Sequence, residues 1–469
     1  MALSAATNWD VRTSGSDSNG GGFVLGASGT DYSQQNSAQF SGTDLTSVSS
    51  LVVSSASHNF VSTDVGNIVQ ITSSTSGFTT GFYQIVSVSA NQATFDRSPG
   101  TVGVGGVWAE GGSLRTLAKA FGLCVNANIV WAQAGTYTLT TGLTIPASIY
   151  MQLQGYQTTH GDNTGTQPLI TTATNSVDMI NPGNSASLIT LANCSFSNTA
   201  SVRASCVIAS TGGFIQSFQA YNCIFDGFTE ALYGKYSGIY CFQFAIFVLC
   251  EIKNCTGTGA IWNNGANYLD SCHLHGNTSA GMYFDQAPNS GSFATTCVDT
   301  VFQGNQDGIL TQENTGLFLK NCTFYNQSRD GVRLNAAGQT TAVSLVNNIF
   351  DTNAGYGVNF TSAPGTQQII AVNNAFRNNT TANWHNYTAS VGDIALSGTP
   401  FTSAGTDFSL NATAGAGAAC RAAGIPGTIP GAGTGYADVG ALQHSAGGGG
   451  TTVYVIAPNI TNLIQEGVV

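Results

Sequence analysis

Asp226, Glu251, Lys253, His273 and His275 are the residues of this chain whose types and spacing form a dense ionisable group. Carboxylates there could do acid–base work, and a lysine or histidine could stabilise a developing negative charge, the combination that polysaccharide cleavage needs. His273 and His275 stand at strand spacing and so point the same way, with Glu251 alongside, but as a metal site the group lacks a third sure ligand. The plain alternative is a solvated ladder of opposite charges, each pair contributing little. Asp307-Gly308 and Asp330-Gly331, with Glu313 and Arg333 nearby, are a second candidate at equivalent turns of successive repeats, although Asp-Gly also suits a turn for purely conformational reasons. The residues expected to carry any catalysis are therefore Glu251, Lys253, His273, Asp307 and Asp330. Asp226, His275 and Tyr325 are expected to contact a glycan. No metal and no cofactor is expected.

These positions follow from a short phrase that returns along the chain. It reads Asn193-Cys194-Ser195-Phe196, Asn222-Cys223-Ile224-Phe225 and Asn321-Cys322-Thr323-Phe324, with looser copies between and after. Numbered by its last apolar residue, the phrase falls at 196, 225, 252, 274, 302, 324, 350 and 376, a repeat of 22 to 29 residues. Such a period marks stacked units. Residues seven and five places earlier are mostly apolar, whereas the next apolar column falls two places before, so the inward phase slips at minus three. A sharp bend must occur there, at Asn193, Asn222, Leu249, Ser271, Asp299, Asn321, Asn347 and Asn373. Asn tolerates the left-handed backbone of such a bend, and stacked Asn side chains can bond from rung to rung.

A third strand is expected seven to nine residues after the phrase, at Leu232, Ile261, Met282, Ile309, Val332 and Val358. Three short strands per turn describe an all-β parallel β-helix. Residues flanking each inward apolar residue then face outward. One outward column is Ser197, Asp226, Lys253, His275, Gln303, Tyr325, Asp351 and Arg377; the other is Ser195, Ile224, Glu251, His273, Val301, Thr323, Ile349 and Ala375. Rungs lie about 4.8 Å apart, which brings the five ionisable residues within reach of one another. Tyr325, Tyr356, Trp262 and Tyr268 could stack on sugars or inside the coil.

The remaining segments are read in chain order. Residues 1–43 are an entry strand and a Gly/Ser-rich stretch, and 44–98 are a small antiparallel β module with four strand-like runs. Residues 99–190 hold a short capping helix, with Leu114, Leu117, Ala118 and Phe121 on one face, and the first rungs. Regular rungs fill 191–400, a closing turn 401–446, and a Gly linker with a β-prone attachment tail 447–469. Of 469 residues only 7% are charged, with 12 basic against 23 acidic, so the surface is mostly neutral polar and no nucleic-acid partner is expected. Five of the eleven cysteines share one inward column, Cys194, Cys223, Cys250, Cys272 and Cys322, and are expected free and buried. The N-terminus has no Sec-type signal pattern, and no membrane span is visible.

The run Ala134-Gly135-Thr136-Tyr137-Thr138-Leu139-Thr140, then Gly142-Leu143-Thr144-Ile145-Pro146, followed by Asn-bend rungs, resembles the right-handed parallel β-helix of the pectate lyase superfamily. The ending around Tyr436-Ala437-Asp438-Val439-Gly440 is similar to the closing turn of many such helices. The resemblance covers roughly 99–445 and implies the fold more sharply than the function, since the superfamily holds lyases, hydrolases, surface proteins and phage tailspikes. Neither candidate site shows the clustered Asp residues that would hold calcium in a pectate lyase. The opening Asp10-Val11-Arg12-Thr13 to Phe23 also resembles the start of β-helical proteins encoded by phages.

The expected role is a structural or adhesive phage virion protein, a tailspike, fibre or head-decoration subunit at the virion surface. A sparsely charged, Asn/Thr/Ser-rich rod with no Sec-type signal pattern is expected to reach the outside some other way, and lysis provides one. Its expected partners are other virion subunits through 447–469, a host surface polysaccharide and copies of itself, with trimers common among phage spikes resembling it. A polysaccharide lyase or glycoside hydrolase is the main rival, and a bacterial surface adhesin the second.

Overall fold

The computed structural model describes residues 3–73, 77–100, 103–146, 149–162, 165–181, 188–208, 215–234, 242–263, 265–284, 294–312, 316–335, 342–364, 368–388, 390–425 and 437–443. Glu313 and the linker and tail at 447–469 lie outside the described residues.

Three long sheets of 12, 11 and 10 strands run side by side along the body, and successive strands of each sheet come from successive turns of the chain. Pairing within the turns is parallel, for example Phe302 with Phe324, Phe324 with Phe350, and Phe350 with Phe376. The third-strand column is continuous in register through Leu232, Ile261, Met282, Ile309, Val332 and Val358, as the spacing predicts. Stacked aromatic rings fill the coil. Phe302, Phe324, Phe350 and Phe376 lie 4.8 to 5.2 Å apart between neighbours, with rings within 13° of parallel.

All eight expected bend residues, Asn193 to Asn373, have φ between 49° and 58°. The side chains join rung to rung, as from Asn222 Nδ2 to Asn193 Oδ1 at 2.9 Å and from Asn321 Nδ2 to Asp299 Oδ1 at 3.0 Å. A second left-handed residue, not expected from the sequence, stands two places after each phrase from Phe225 onward, at Gly227, Asn254, Gly276, Gly304, Asn326, Thr352 and Asn378. These two single-residue bends bracket a three-residue strand, so its outward side chains are held at both ends. One place after the second bend runs an amide ladder, Asn277, Asn305, Gln327 and Asn353, all buried, and the half-buried Asn379, which bonds backbone groups of neighbouring rungs. The ten cysteines among the described residues are free and buried.

The antiparallel module is a closed six-stranded barrel: Phe40–Ser47, Val52–Ser54, Gln92–Phe95, Gly81–Ser89, Ile68–Ile71 and Val104–Glu110 in spatial order. Its own core holds Leu45, Val53, Phe60, Val69, Ile85, Phe95 and Trp108. The strand Thr7–Val11 pairs in parallel with Asn128–Gln133 and antiparallel with Gly22–Val24, which covers the first edge of the 12-stranded sheet. The expected helix spans Leu117–Leu123 and buries Leu117, Ala120 and Phe121 in the core of the coil. Thr116 caps it by accepting from Lys119 N, and Lys119 Nζ lies 5.0 Å over the Phe82 ring of the barrel. Among the described residues no helix is long and apolar enough to cross a membrane.

The C-terminal segment is where the structure departs most from expectation. A hairpin of Phe401–Ser403 and Asp407–Leu410, with a short helix Gly417–Cys420, lies along the outer face of the 11-stranded sheet. Phe401, Phe408, Leu410, Val439 and Ala441 pack there on Val301, Ile349 and Ala375. The outward column carries apolar Val301, Ile349 and Ala375 in those rungs, so covering it removes apolar surface from water. Val301, Thr323, Ile349, Ala375 and Asp351, expected on the surface, are buried.

Candidate functional site

The first candidate group sits where this cover ends. Its strands are Ile224–Asp226, Glu251–Lys253 and His273–His275, aligned so that Glu251 faces His273, and Lys253 lies between Asp226 and His275. Left-handed residues at Asn222, Leu249 and Ser271 precede these strands and Gly227, Asn254 and Gly276 follow them, which is why so short a sequence presents two outward side chains per turn.

Glu251 is the centre of the group. Its carboxylate binds His275 Nε2 at 2.8 Å and Lys253 Nζ at 3.1 Å. Burial alone would raise its pKa, but the hydrogen bonds from His275 and Lys253 outweigh that and hold it below the usual value. The His273 and His275 rings lie 4.3 Å apart. Burial, and then repulsion from His275, push the His273 pKa down to about 4, so its ring is neutral at neutral pH. Asp226 accepts from Asn254 Nδ2 at 2.8 Å. Glu251 is thus an ionised, doubly paired carboxylate, suited to accepting hydrogen bonds and unsuited to donating a proton to a leaving group.

Tyr325 lies two rungs above His275, beyond Gln303. It is not the exposed stacking surface expected. Phe401 and Phe408 meet its ring edge-on at 5.8 and 5.5 Å.

Asp307 and Asp330 are in register on neighbouring rungs of the 10-stranded sheet, as expected, yet both are buried and bonded throughout. Asp307 accepts from the Arg329 guanidinium and from the backbone N of Asp330. Asp330 accepts from Tyr356 N at 2.8 Å, Asn359 Nδ2 at 2.8 Å and Arg333 Nη1 at 3.2 Å. Each aspartate closes the turn it begins, and its charge is matched by an arginine that caps it from the solvent side. Of the other aromatics, Tyr356 stacks on His385 at 4.6 Å, and Trp262 lies edge-on between Tyr233 and Tyr283.

Tyr268 alone of those four is an open face, 38% exposed, and it belongs to a surface the sequence reading missed. Ile246, Tyr268, Thr296, Phe318, Ser344 and Ile370 are consecutive partners down the outer face of the 12-stranded sheet. Phe318 is 38% exposed, Ile370 58%, and Phe244 beside the column 52%. Tyr268 and Phe318 are two rungs apart, roughly 10 Å. Next to them Asp270 and Lys320 are likewise two rungs apart, and Tyr268 Oη donates to Asp270 Oδ2 at 3.2 Å. The sequence held the signal: these residues stand six places before each recurring apolar residue, between two inward positions, where alternation sends a side chain outward.

A further buried group was also missed. Asp10 accepts from Arg12 Nε at 2.9 Å, Tyr156 Oη at 2.7 Å and His160 Nε2 at 2.7 Å, and His160 stacks on Trp131 at 4.4 Å. Burial and the Asp10 charge push Tyr156 strongly up, so its hydroxyl stays a proton donor that ties the first strand to a later rung. Among the described residues one group has the donor set for a metal ion, His58, Asp64 and Glu110 in the barrel.

The family model described as "Right handed beta helix region" matches residues 237–406. The body of the chain is a right-handed parallel β-helix. Among solved structures the β-helix is similar to a pectate lyase, Pel9A, at 14% identity and a TM-score of 0.39, covering 71% of this chain and 92% of that one. It is also similar to the A-module of an Azotobacter vinelandii mannuronan C-5 epimerase, at 12% identity and a TM-score of 0.30, over 57% of this chain and 90% of that one. A third likeness is to the tailspike protein of Pseudomonas phage LKA1, at 12% identity and a TM-score of 0.22, over 76% of this chain and 65% of that one. No curated protein matches the β-helix chain in sequence. Folds of this kind serve several chemistries, so function must be argued from the side chains.

Proposed function

We propose that this β-helix is a structural and adhesive protein that binds an extended glycan along the outer face of its 12-stranded sheet. The observation that carries this reading is the pair of open rings Tyr268 and Phe318 in one column, two rungs apart, with polar Thr296 between them. Aromatic faces stack on the apolar faces of sugars, while Asp270 and Lys320 alongside are placed to bond hydroxyl groups. A rigid repeat holds such rings at fixed spacing before the ligand arrives, which limits the entropy lost on binding.

Binding is favoured over cleavage because each carboxylate proposed for catalysis is already committed. Glu251 is ionised between Lys253 and His275, and Asp307 and Asp330 are buried under Arg329 and Arg333. The proposed setting is a phage particle, with the host surface polysaccharide as ligand and residues 447–469 as the attachment to other virion subunits. Self-association, as a trimer or otherwise, is part of the same proposal, and the exposed apolar side chains of Phe244 and Ile370 at the strip favour it.

Equilibrium binding to a panel of bacterial surface polysaccharides tests the reading, with sedimentation run in parallel. Binding that falls at least tenfold in Tyr268→Ala/Phe318→Ala, with the oligomeric state unchanged, supports it. Unchanged binding in that variant overturns the assignment of the strip.

A further inference from the structure

The barrel buries two neighbouring carboxylates against a single imidazole. Glu110 ends the strand Val104–Glu110, and its side chain is 0% exposed with neither carboxylate oxygen hydrogen-bonded. Asp64, also 0% exposed, is its neighbour, and one oxygen of Asp64 is likewise without a partner. The other oxygen accepts from Val61 N at 2.9 Å and meets His58 Nε2 at 2.8 Å. Among the described residues His58 is the one basic side chain paired with either carboxylate. Two buried carboxylates against one imidazole leave charge uncompensated, and burying an unpaired carboxylate is costly.

Donor atoms of His58, Asp64 and Glu110 all lie within 4.8 Å of one another. Ligands about 2.1 Å from a shared zinc ion are roughly 3 to 3.4 Å apart, so the group needs only small inward and outward adjustments to close on a cation. The imidazole is oriented by its surroundings: Phe40 stacks on it at 3.7 Å, Phe60 meets it edge-on at 5.1 Å, and Trp108 lies 6.1 Å away. Aromatic walls of this kind exclude water and fix the ring that would bind.

We infer that His58, Asp64 and Glu110 form a binding site for one divalent first-row transition ion, Zn2+ or Mn2+, inside the barrel. One imidazole with two carboxylates suits these ions better than Ca2+ or Mg2+, which take oxygen ligands in larger number. The ion would neutralise both carboxylates and clamp the 3-10 turn Ser62–Asp64 to the strand ending at Glu110. It would be structural, since the three ligands are enclosed by the barrel.

The test is titration of the metal-stripped full chain with Zn2+ and, separately, Mn2+, Ca2+ and Mg2+. It is followed by calorimetry and Trp fluorescence, with bound metal counted after dialysis. The expected result is one Zn2+ or Mn2+ per chain, with a fluorescence change from Trp108 and a raised melting temperature. Glu110→Gln keeps the shape of the side chain, and His58→Gln removes the nitrogen ligand. Each is expected to weaken Zn2+ binding at least tenfold while circular dichroism confirms the fold. Absence of stoichiometric uptake by the folded wild type overturns the inference. Uptake unaffected by both substitutions overturns it as well.

Discussion

His273 donates from Nε2 to Oε1 of Gln303 at 2.9 Å, and Gln303 passes the bond on from its Nε2 to the carbonyl of Gly405 at 2.9 Å. A residue of the candidate site is thereby joined to the hairpin that covers the rungs above it. Phe408 meets the His273 ring edge-on at 6.1 Å. The cover and the low pKa of His273 share one cause, which is burial at the edge of the folded-back segment.

The pH dependence follows from that link. The folded pKa of His273 is about 4 against the usual 6.5, so between these values the unfolded chain holds a proton that the folded chain does not. Its contribution is full above about pH 6.5 and is lost as pH falls toward 4, amounting to roughly 2 to 3 kcal/mol over the window. Asp299 acts with the opposite sign. Burial raises its pKa to about 6, so its contribution is lost as pH rises from about 4 to 6. The His273 part is therefore read as the difference between wild type and His273→Gln in melting experiments at pH 7 and pH 5. The variant should lose less stability on acidification.

Phe408→Ala should loosen the cover and let water reach the imidazole. The expected outcome is a rise in the His273 pKa toward 6.5, followed by NMR titration, together with a loss of about 3 kcal/mol from removing a buried ring. A lost ring with no change in titration would separate the two effects.

Leu249 is the one aliphatic residue among the eight left-handed bends, at φ 54°. Leu249→Asn should relieve backbone strain and place an amide between Asn222 and Ser271 in the outer ladder. A gain of about 1 kcal/mol is expected by chemical denaturation, with the midpoint shifted and the slope unchanged. The reverse change, Asn321→Leu, should cost about as much or more, because it also breaks the bond to Asp299.

Arg329→Met should leave Asp307 buried without its cation and destabilise the fold by roughly 3 kcal/mol. Adding Asp307→Asn should recover part of that loss. Partial recovery, measured by a double-mutant cycle, would confirm that the pair closes a turn.

Much of the coil was legible because each turn repeats a phrase whose inward and outward positions are set by backbone geometry. Asn193 to Asn373 declared the first bend by residue type and by the phase slip around them. The second bend was harder to see, since Gly227, Asn254, Gly276 and Thr352 share no single residue type. The ionisable group was placed correctly because Glu251, Lys253, His273 and His275 are fixed by that same local register. The cover over Tyr325 was not legible, because it depends on residues near 401–441 returning to rungs near 301–375, a contact that no local period encodes. The apolar run Val301, Ile349 and Ala375 at outward positions was its trace. The barrel group was hidden for a similar reason: His58, Asp64 and Glu110 meet only when the barrel closes.

The most direct measurement incubates the purified chain with the polysaccharide that it binds and follows reducing ends and unsaturated-sugar absorbance over time. Saturable binding that depends on Tyr268 and Phe318, with no product formed, is the predicted result. Product that accumulates in wild type and disappears in Glu251→Gln would contradict it.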